Sequence, residues 1–142
     1  MKLYTSRWQN RALETAPFVA VGISRGVPRF PVRYRYRRFP DLYPDGWMFG
    51  IEDGARFERA YTRKLDRIGA DRIGAALKKI SDEEGGADLC LLCYEKDPAE
   101  CHRSMFARWW QTRTGQAVEE LTQNSVRPCK GRDAQGLQEP LF

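Results

Sequence analysis

Apolar residues along the chain fall into two short runs separated by two periodic stretches. Residues 18–23 and 89–94 are almost wholly apolar, which is typical of strands buried on both faces of a parallel sheet. Between them, apolar side chains recur every three or four residues over 57–68 and 73–80, which predicts two helices. Because this helical crossover joins the two runs, we expect the strands to pair in parallel.

A third helix is predicted to follow the second buried strand. Asp97 as N-cap, Pro98 at the first helical position and Glu100 at the third indicate its start. Gly115 indicates its end. Residues 118–121 then predict a last short strand.

These elements predict a single α/β domain over residues 1–122, with a small, mainly parallel sheet flanked by helices in a Rossmann-like three-layer arrangement. Residues 32–38 alternate basic with apolar or aromatic side chains, which indicates a strand or an extended loop. Residues 123–142 are polar and contain proline and glycine, so we expect a disordered tail.

The composition is that of a globular protein, with 42% hydrophobic residues and no apolar run of membrane-spanning length. No apolar stretch follows the charge at Lys2, so no signal peptide is predicted and we expect a cytoplasmic location. In that compartment the four cysteines are expected as core residues, catalytic thiols or metal ligands rather than as disulfides.

The net charge of +5 is unevenly distributed, because residues 25–38 contain six arginines and no acid. Arginine binds phosphates and tyrosine stacks on exposed bases, so we predict a nucleic-acid-binding segment. Its candidate residues are Arg29, Arg33, Tyr34, Arg35, Tyr36, Arg37 and Arg38. The alternative is a solvated edge strand whose tyrosines cover the core. Four further aromatic residues are expected in the core: Trp47, Phe49, Trp109 and Trp110.

The junction between the second buried strand and the third helix, residues 93–103, carries the densest chemistry. Ligands of open α/β sheets bind at such strand ends, and a helix N-terminus offers free N–H groups to an anion. The candidate catalytic residues are Cys93, Glu95, Cys101 and His102, and the candidate anion-binding residues are Ser24, Arg25 and Arg103. Cys93 is the predicted nucleophile, with Glu95 or His102 as base.

Two other interpretations of this junction compete with catalysis. Zinc would find suitable ligand types, but Cys90 and Cys93 are expected on opposite faces of a strand, and Cys101 and His102 about 100° apart around a helix. We therefore predict no metal and no cofactor. In a purely structural interpretation, Cys90 and Cys101 belong to the core and His102 is a satisfied buried histidine.

Residues 93–103 resemble the signature of the domain-of-unknown-function 488 family of bacteria and phages. Residues 21–29, 34–38 and 46–48 resemble its short phage-type branch. Longer members carry Asp-Val-Arg after the first strand, where this chain has residues 22–25. The resemblance implies a fold and a site more than a reaction.

Gln138, Leu141 and Phe142 resemble the pentapeptide by which bacterial replication and repair proteins dock on the DNA polymerase sliding clamp. Leu141 and Phe142 would fill an apolar pocket and Gln138 would add a hydrogen bond. Alternatively, the two apolar residues pack back onto the domain.

These features together predict a DNA-associated protein of phage or bacterial origin, acting in DNA repair, replication or host–phage conflict. The tail would recruit it to the clamp, and the junction would bind nucleic-acid phosphate, with DNA favoured over RNA. If the protein is an enzyme, we expect a hydrolase or transferase acting on a nucleotide or nucleic acid. The alternatives are a small-molecule enzyme on a nucleotide-like substrate and a non-catalytic clamp-binding adaptor or inhibitor.

Overall fold

The computed structural model describes residues 1–94 and 101–122. Its strands are β1 (Leu3–Arg7), β2 (Val19–Gly22), β3 (Tyr36–Arg38), β4 (Leu89–Cys93) and β5 (Val118–Glu120). Its α-helices are α1 (Gly54–Ile68), α2 (Ala70–Glu83) and α3 (His102–Thr114). Three short 3-10 helices cover Arg11–Glu14, Pro40–Leu42 and Gly46–Gly50.

The five strands form one sheet in the order β3-β2-β4-β1-β5, and every pairing is parallel. The predicted α/β class and parallel sheet are therefore confirmed. The sequence pattern missed β1, which pairs with β4 on one side and β5 on the other. The predicted final strand is confirmed as β5.

The two faces of the sheet are covered differently. All three α-helices pack on one face, in a core that includes Leu89 and Leu91 of β4. The other face carries a smaller cluster with Trp8, Cys90 and Leu92, covered by the first 3-10 helix and by aromatic side chains. The layer opposite the α-helices is thus built from a 3-10 helix and aromatic rings.

Local signals explain where two of the helices begin and end. The carboxylate of Asp53 accepts hydrogen bonds from the N–H groups of Ala55 and Arg56 and so caps α1. Gly69 separates α1 from α2 with a φ of 94°, a conformation that residues with a Cβ adopt only at a cost. The predicted break at this glycine is confirmed.

The start of α3 differs from the prediction. Its N-cap is Cys101, whose backbone is extended with φ −123° and ψ 145°, so the helix begins at His102. The predicted N-cap Asp97 is therefore wrong for this helix, and the predicted cap residues Asp97, Pro98 and Glu100 lie outside the described residues. The helix ends at Gly115 in the left-handed conformation, as predicted.

The connections place a topological switch point between β2 and β4 at the carboxyl edge of the sheet. The chain leaves β2 toward β3, whereas it leaves β4 toward β5 on the opposite side, so the two connections diverge between neighbouring strands. The backbone N–H of Ile23 donates to Leu92 O at 2.9 Å, which holds the two strand ends together. No helix in the described part of the chain is long and apolar enough to cross a membrane.

Candidate functional site

Cys93 and Cys101 meet at the carboxyl end of β4, where they form a disulfide. Cys93 is the last residue of its strand and Cys101 caps α3, so the disulfide joins the end of β4 to the start of α3. The expectation that the cysteines are not disulfide-bonded is therefore wrong for this pair. A nucleophilic role for Cys93 requires prior reduction of this bond.

Cys90 lies apart from the other two cysteines of the described chain, as predicted, whereas Cys101 and His102 lie together, contrary to the prediction. Cys90 lies in the cluster on the far face of the sheet, where burial raises the pKa of its thiol far above the ordinary value. Cys101, however, precedes the helix instead of belonging to it, so its sulfur can converge with the ring of His102. The ligand atoms of Cys93, Cys101 and His102 all lie within 4.8 Å of one another, and all three residues are buried. We call these three residues the thiol cluster.

His102 bridges the ends of β2 and α3. Its Nε2 lies 2.7 Å from the carbonyl oxygen of Ile23, and its Nδ1 lies 3.9 Å from Cys101 Sγ. Because a carbonyl can only accept, Nε2 carries the proton and Nδ1 presents a lone pair to the sulfur. Burial lowers the pKa of His102 to about 4, so the ring is neutral at pH 7. The ring also meets Tyr61 edge-on.

Arg103 is fully buried and is bound to Glu120 on β5. Its Nε lies 3.0 Å from Glu120 Oε1 and its Nη2 lies 3.1 Å from Oε2. The Thr5 hydroxyl donates to the same carboxylate at 2.7 Å. A third nitrogen of the guanidinium, Nη1, lies 3.4 Å from Cys93 Sγ. Arg103 therefore connects the thiol cluster to β5, and sequence reasoning missed both Thr5 and Glu120.

The other predicted anion-binding residues lie just after β2. The Ser24 hydroxyl accepts a hydrogen bond from Trp8 Nε1 at 3.0 Å and donates to Gly26 O at 2.8 Å, so it fixes this turn. Arg25 is exposed, and its Nη1 donates to Pro44 O at 3.3 Å. Their predicted role in anion binding stays a prediction.

In the predicted nucleic-acid-binding segment, the tyrosines and the arginines have different environments. Tyr34 and Tyr36 turn to the sheet, where the Tyr34 hydroxyl donates to Trp8 O at 2.6 Å and the Tyr36 ring meets Trp8 edge-on. Arg35 and Arg37 form ion pairs with carboxylates at the end of α2, namely Glu84 for both and Glu83 for Arg37. The segment itself contains no acid, but the fold brings Glu83 and Glu84 of α2 and its C-cap beside two of its arginines.

Three other arginines remain exposed, and we call Arg25, Arg29 and Arg38 the arginine cluster. Arg38 Nη2 donates to Arg25 O at 3.2 Å, and a Cβ at Gly26 would lie 3.7 Å from the Tyr94 hydroxyl. Burial raises the pKa of Tyr94, and the charges of Arg29 and Arg38 oppose that effect. Among the described residues, no carboxylate forms an ion pair with these three guanidinium groups.

Two aromatic side chains contradict the expectation of a core position. Trp47 is 62% exposed and Phe49 is 60% exposed, because both lie on the short 3-10 helix Gly46–Gly50, whose buried residue is Met48. The other two expected core residues, Trp109 and Trp110, are buried as predicted. The remaining predicted site residues, Glu95, Gln138, Leu141 and Phe142, lie outside the described residues.

Comparison with known proteins places the chain in a family. A family model described as "Domain of unknown function DUF488" matches residues 32–110, which include β3, β4 and the start of α3 with the thiol cluster. No curated protein and no solved structure matches the chain. Because the matched region covers more than half of the chain, the protein belongs to the DUF488 family.

Proposed function

We propose that this protein binds nucleic acid through the arginine cluster at the carboxyl edge of its sheet. The observation that carries the proposal is that Arg25, Arg29 and Arg38 are exposed, with no carboxylate forming an ion pair with them among residues 1–94 and 101–122. Arg38 donates to the backbone of Arg25, and the charges of Arg29 and Arg38 both act on Tyr94. Guanidinium groups bind phosphate oxygens bidentately, and a cluster of them on one surface is the electrostatic footprint of a polyanion site.

The exposed aromatic residues favour single-stranded nucleic acid over duplex. Arg25 donates to the carbonyl of Pro44, which precedes the 3-10 helix with Trp47 and Phe49. Exposed rings beside phosphate-binding arginines provide a surface on which unpaired bases stack. Stacking is worth about 1–3 kcal/mol per base and tolerates any base, so we expect little sequence preference.

The finer parts of the hypothesis rest on the sequence. We propose that the ligand is DNA and that the protein acts in repair, replication or host–phage conflict, with a nucleotide unit reaching the junction at Cys93. Hydrolase or transferase chemistry there, with Cys93, Cys101, Glu95 and His102 as candidates and Arg103 as an anion-binding group, stays a prediction.

The test compares single-stranded DNA binding by the native protein and by the triple variant Arg25→Gln/Arg29→Gln/Arg38→Gln. Fluorescence anisotropy at several salt concentrations measures the affinity and its salt dependence. Each lost phosphate contact reduces the slope of log K against log salt by about 0.7, so the triple variant should lose about 2.

The matched control is Arg56→Gln/Arg59→Gln/Arg63→Gln, which removes the same charge from exposed positions on α1. It should keep most of the native slope. Equal losses in both triple variants would mean that only net charge matters, and the arginine cluster would then not be a site.

We also propose that the C-terminal motif binds the DNA polymerase sliding clamp. The support is the sequence of Gln138, Leu141 and Phe142, which offers a hydrogen bond and two apolar anchors. Isothermal titration of a purified clamp with the native protein and with Leu141→Ala/Phe142→Ala should show binding only for the native protein. Undiminished binding by the variant would exclude the motif.

A further inference from the structure

Two polar side chains contact the sulfur atoms of the thiol cluster, although a disulfide requires neither of them. A covalent bond between Cys93 and Cys101 needs no neighbouring base and no neighbouring cation. Yet His102 directs a ring nitrogen to Cys101 Sγ, and the buried guanidinium of Arg103 approaches Cys93 Sγ to 3.4 Å. The guanidinium favours the thiolate form of Cys93, and the His102 lone pair can join the sulfur atoms in binding a cation. Both roles require the disulfide to be reduced.

We propose that the reduced thiol cluster is a binding site for one soft divalent metal ion of the zinc class. The ligands are Cys93 Sγ, Cys101 Sγ and His102 Nδ1, which come from the end of β4 and the start of α3. This site goes beyond nucleic-acid binding and uses none of the residues of the arginine cluster.

The ligand set suits zinc in type, and reduction of the disulfide frees the two sulfur atoms to move to the spacing that zinc requires. Zinc binds thiolate at about 2.3 Å and imidazole at about 2.0 Å, so tetrahedral ligand atoms lie about 3.6–3.8 Å apart. The observed separation of His102 Nδ1 from Cys101 Sγ is 3.9 Å, and all three ligand atoms fall within 4.8 Å. Three protein ligands leave a fourth position for water or a substrate atom, as in catalytic zinc sites.

The groups around the ligands support a metal as well. Histidines that bind metals usually donate their other ring N–H to a carbonyl or carboxylate, which fixes the tautomer and the ring orientation. His102 does this through Nε2 to Ile23 O at 2.7 Å. Arg103 donates to Cys93 Sγ and is itself paired with Glu120, whose carboxylate offsets the guanidinium charge that would otherwise oppose a metal cation.

The change from disulfide to metal site is balanced in electrons and protons. A dithiol reductant transfers two electrons and two protons to the Cys93–Cys101 bond and is oxidised to its own disulfide. The metal ion then replaces the two thiol protons, which are released to water. The disulfide and the metal complex are therefore mutually exclusive states of the same two sulfur atoms.

Cobalt(II) titration of the full-length protein tests the site, because tetrahedral cobalt thiolates absorb visibly. Reduced native protein should bind one equivalent with thiolate-to-cobalt charge-transfer bands, and one equivalent of Zn²⁺ should displace it. Oxidised native protein should show no such bands. This comparison needs no substitution, so it remains valid even if a variant fails to fold.

Variants then assign the ligands. Cys93→Ser, Cys101→Ser and His102→Gln should each weaken cobalt binding by more than the roughly 10- to 100-fold that loss of an outer-shell partner costs. Cys90→Ser is the matched control, since Cys90 is buried on the other face of the sheet, and it should keep full binding. Cys129→Ser tests the one cysteine outside the described residues and should also keep it.

Two results would overturn the proposal. One is reduced native protein that binds no cobalt in stoichiometric amount. The other is a bound cobalt whose thiolate bands survive unchanged in Cys93→Ser or Cys101→Ser. Either would leave the pair as a structural disulfide, without affecting the arginine cluster.

Discussion

Replacing Glu120 with glutamine tests how the thiol cluster is held in the fold. The Glu120 carboxylate accepts from the Arg103 guanidinium at 3.0 and 3.1 Å and from the Thr5 hydroxyl at 2.7 Å. The substitution preserves the size of the side chain but removes the negative charge that faces a fully buried cation. One carbonyl oxygen remains as an acceptor, and the amide turns N–H groups toward the guanidinium or the hydroxyl.

The expected cost follows from the burial of the pair. Breaking a fully buried ion pair costs about 3–5 kcal/mol, because one charge is left uncompensated. Glu120 is 28% exposed, so water screens part of its charge, and glutamine keeps one hydrogen bond. We therefore expect a loss of about 2 kcal/mol in the free energy of unfolding, which lowers Tm by about 6 °C in a domain of this size.

Urea denaturation followed by tryptophan fluorescence, with the disulfide intact in all samples, measures this loss. Glu119→Gln is the matched control, because the neighbouring residue is exposed and makes no described ion pair. Surface substitutions of that kind change stability by less than about 0.5 kcal/mol. If Glu120→Gln is no less stable than Glu119→Gln, the pair with Arg103 does not stabilise the fold, and the reasoning is wrong.

Three further predictions concern other parts of the fold. Gly22→Ala should cost about 1–3 kcal/mol in a urea titration, because the new Cβ would lie 2.6 Å from Trp8 Cζ2. Cys90 should resist iodoacetamide in the native protein and react in urea, as peptide mapping would show, since burial raises the pKa of its thiol. Hydrogen bonds from Trp109 and from Arg113 lower the pKa of Asp66 below its ordinary value of 3.8. The ionised carboxylate therefore stabilises the fold fully at pH values above 3.8. That contribution should be lost as the pH falls from 3.8 through the lowered pKa of the folded protein. Asp66→Asn should remove this part of the pH dependence of the free energy of unfolding.

The elements with strong local signals could be predicted from the sequence. The apolar run of β4 and the break at Gly69 between α1 and α2 need no information beyond neighbouring residues. β1 was missed because two of its five residues, Thr5 and Ser6, are polar although buried. They are tolerated because Thr5 donates to Glu120 and Ser6 to Leu121 O, and these partners are distant in sequence.

The position of the candidate site could be predicted, but its contacts could not. The rule that ligands bind at strand ends located Cys93, Ser24 and Arg25 correctly at one edge of the sheet. The ion pairs of Arg35 and Arg37 depend on β3 lying beside the end of α2, which only the folded chain reveals. Likewise, α3 begins at His102, four residues after the predicted first position, and this boundary leaves Cys101 outside the helix with its sulfur near the His102 ring.

The arginine cluster and the thiol cluster adjoin the same strand ends but differ in access. Arg25, Arg29 and Arg38 are exposed, whereas Cys93 and Cys101 are no more than 1% exposed. Phosphate contacts with the guanidinium groups therefore do not depend on access to either sulfur. It follows that nucleic-acid binding and metal binding should be separable: the arginine variants should keep their cobalt bands, and Cys101→Ser should keep its salt-dependent DNA affinity. A loss of both properties in one variant would instead indicate that the β2 and β4 ends move together when either ligand binds.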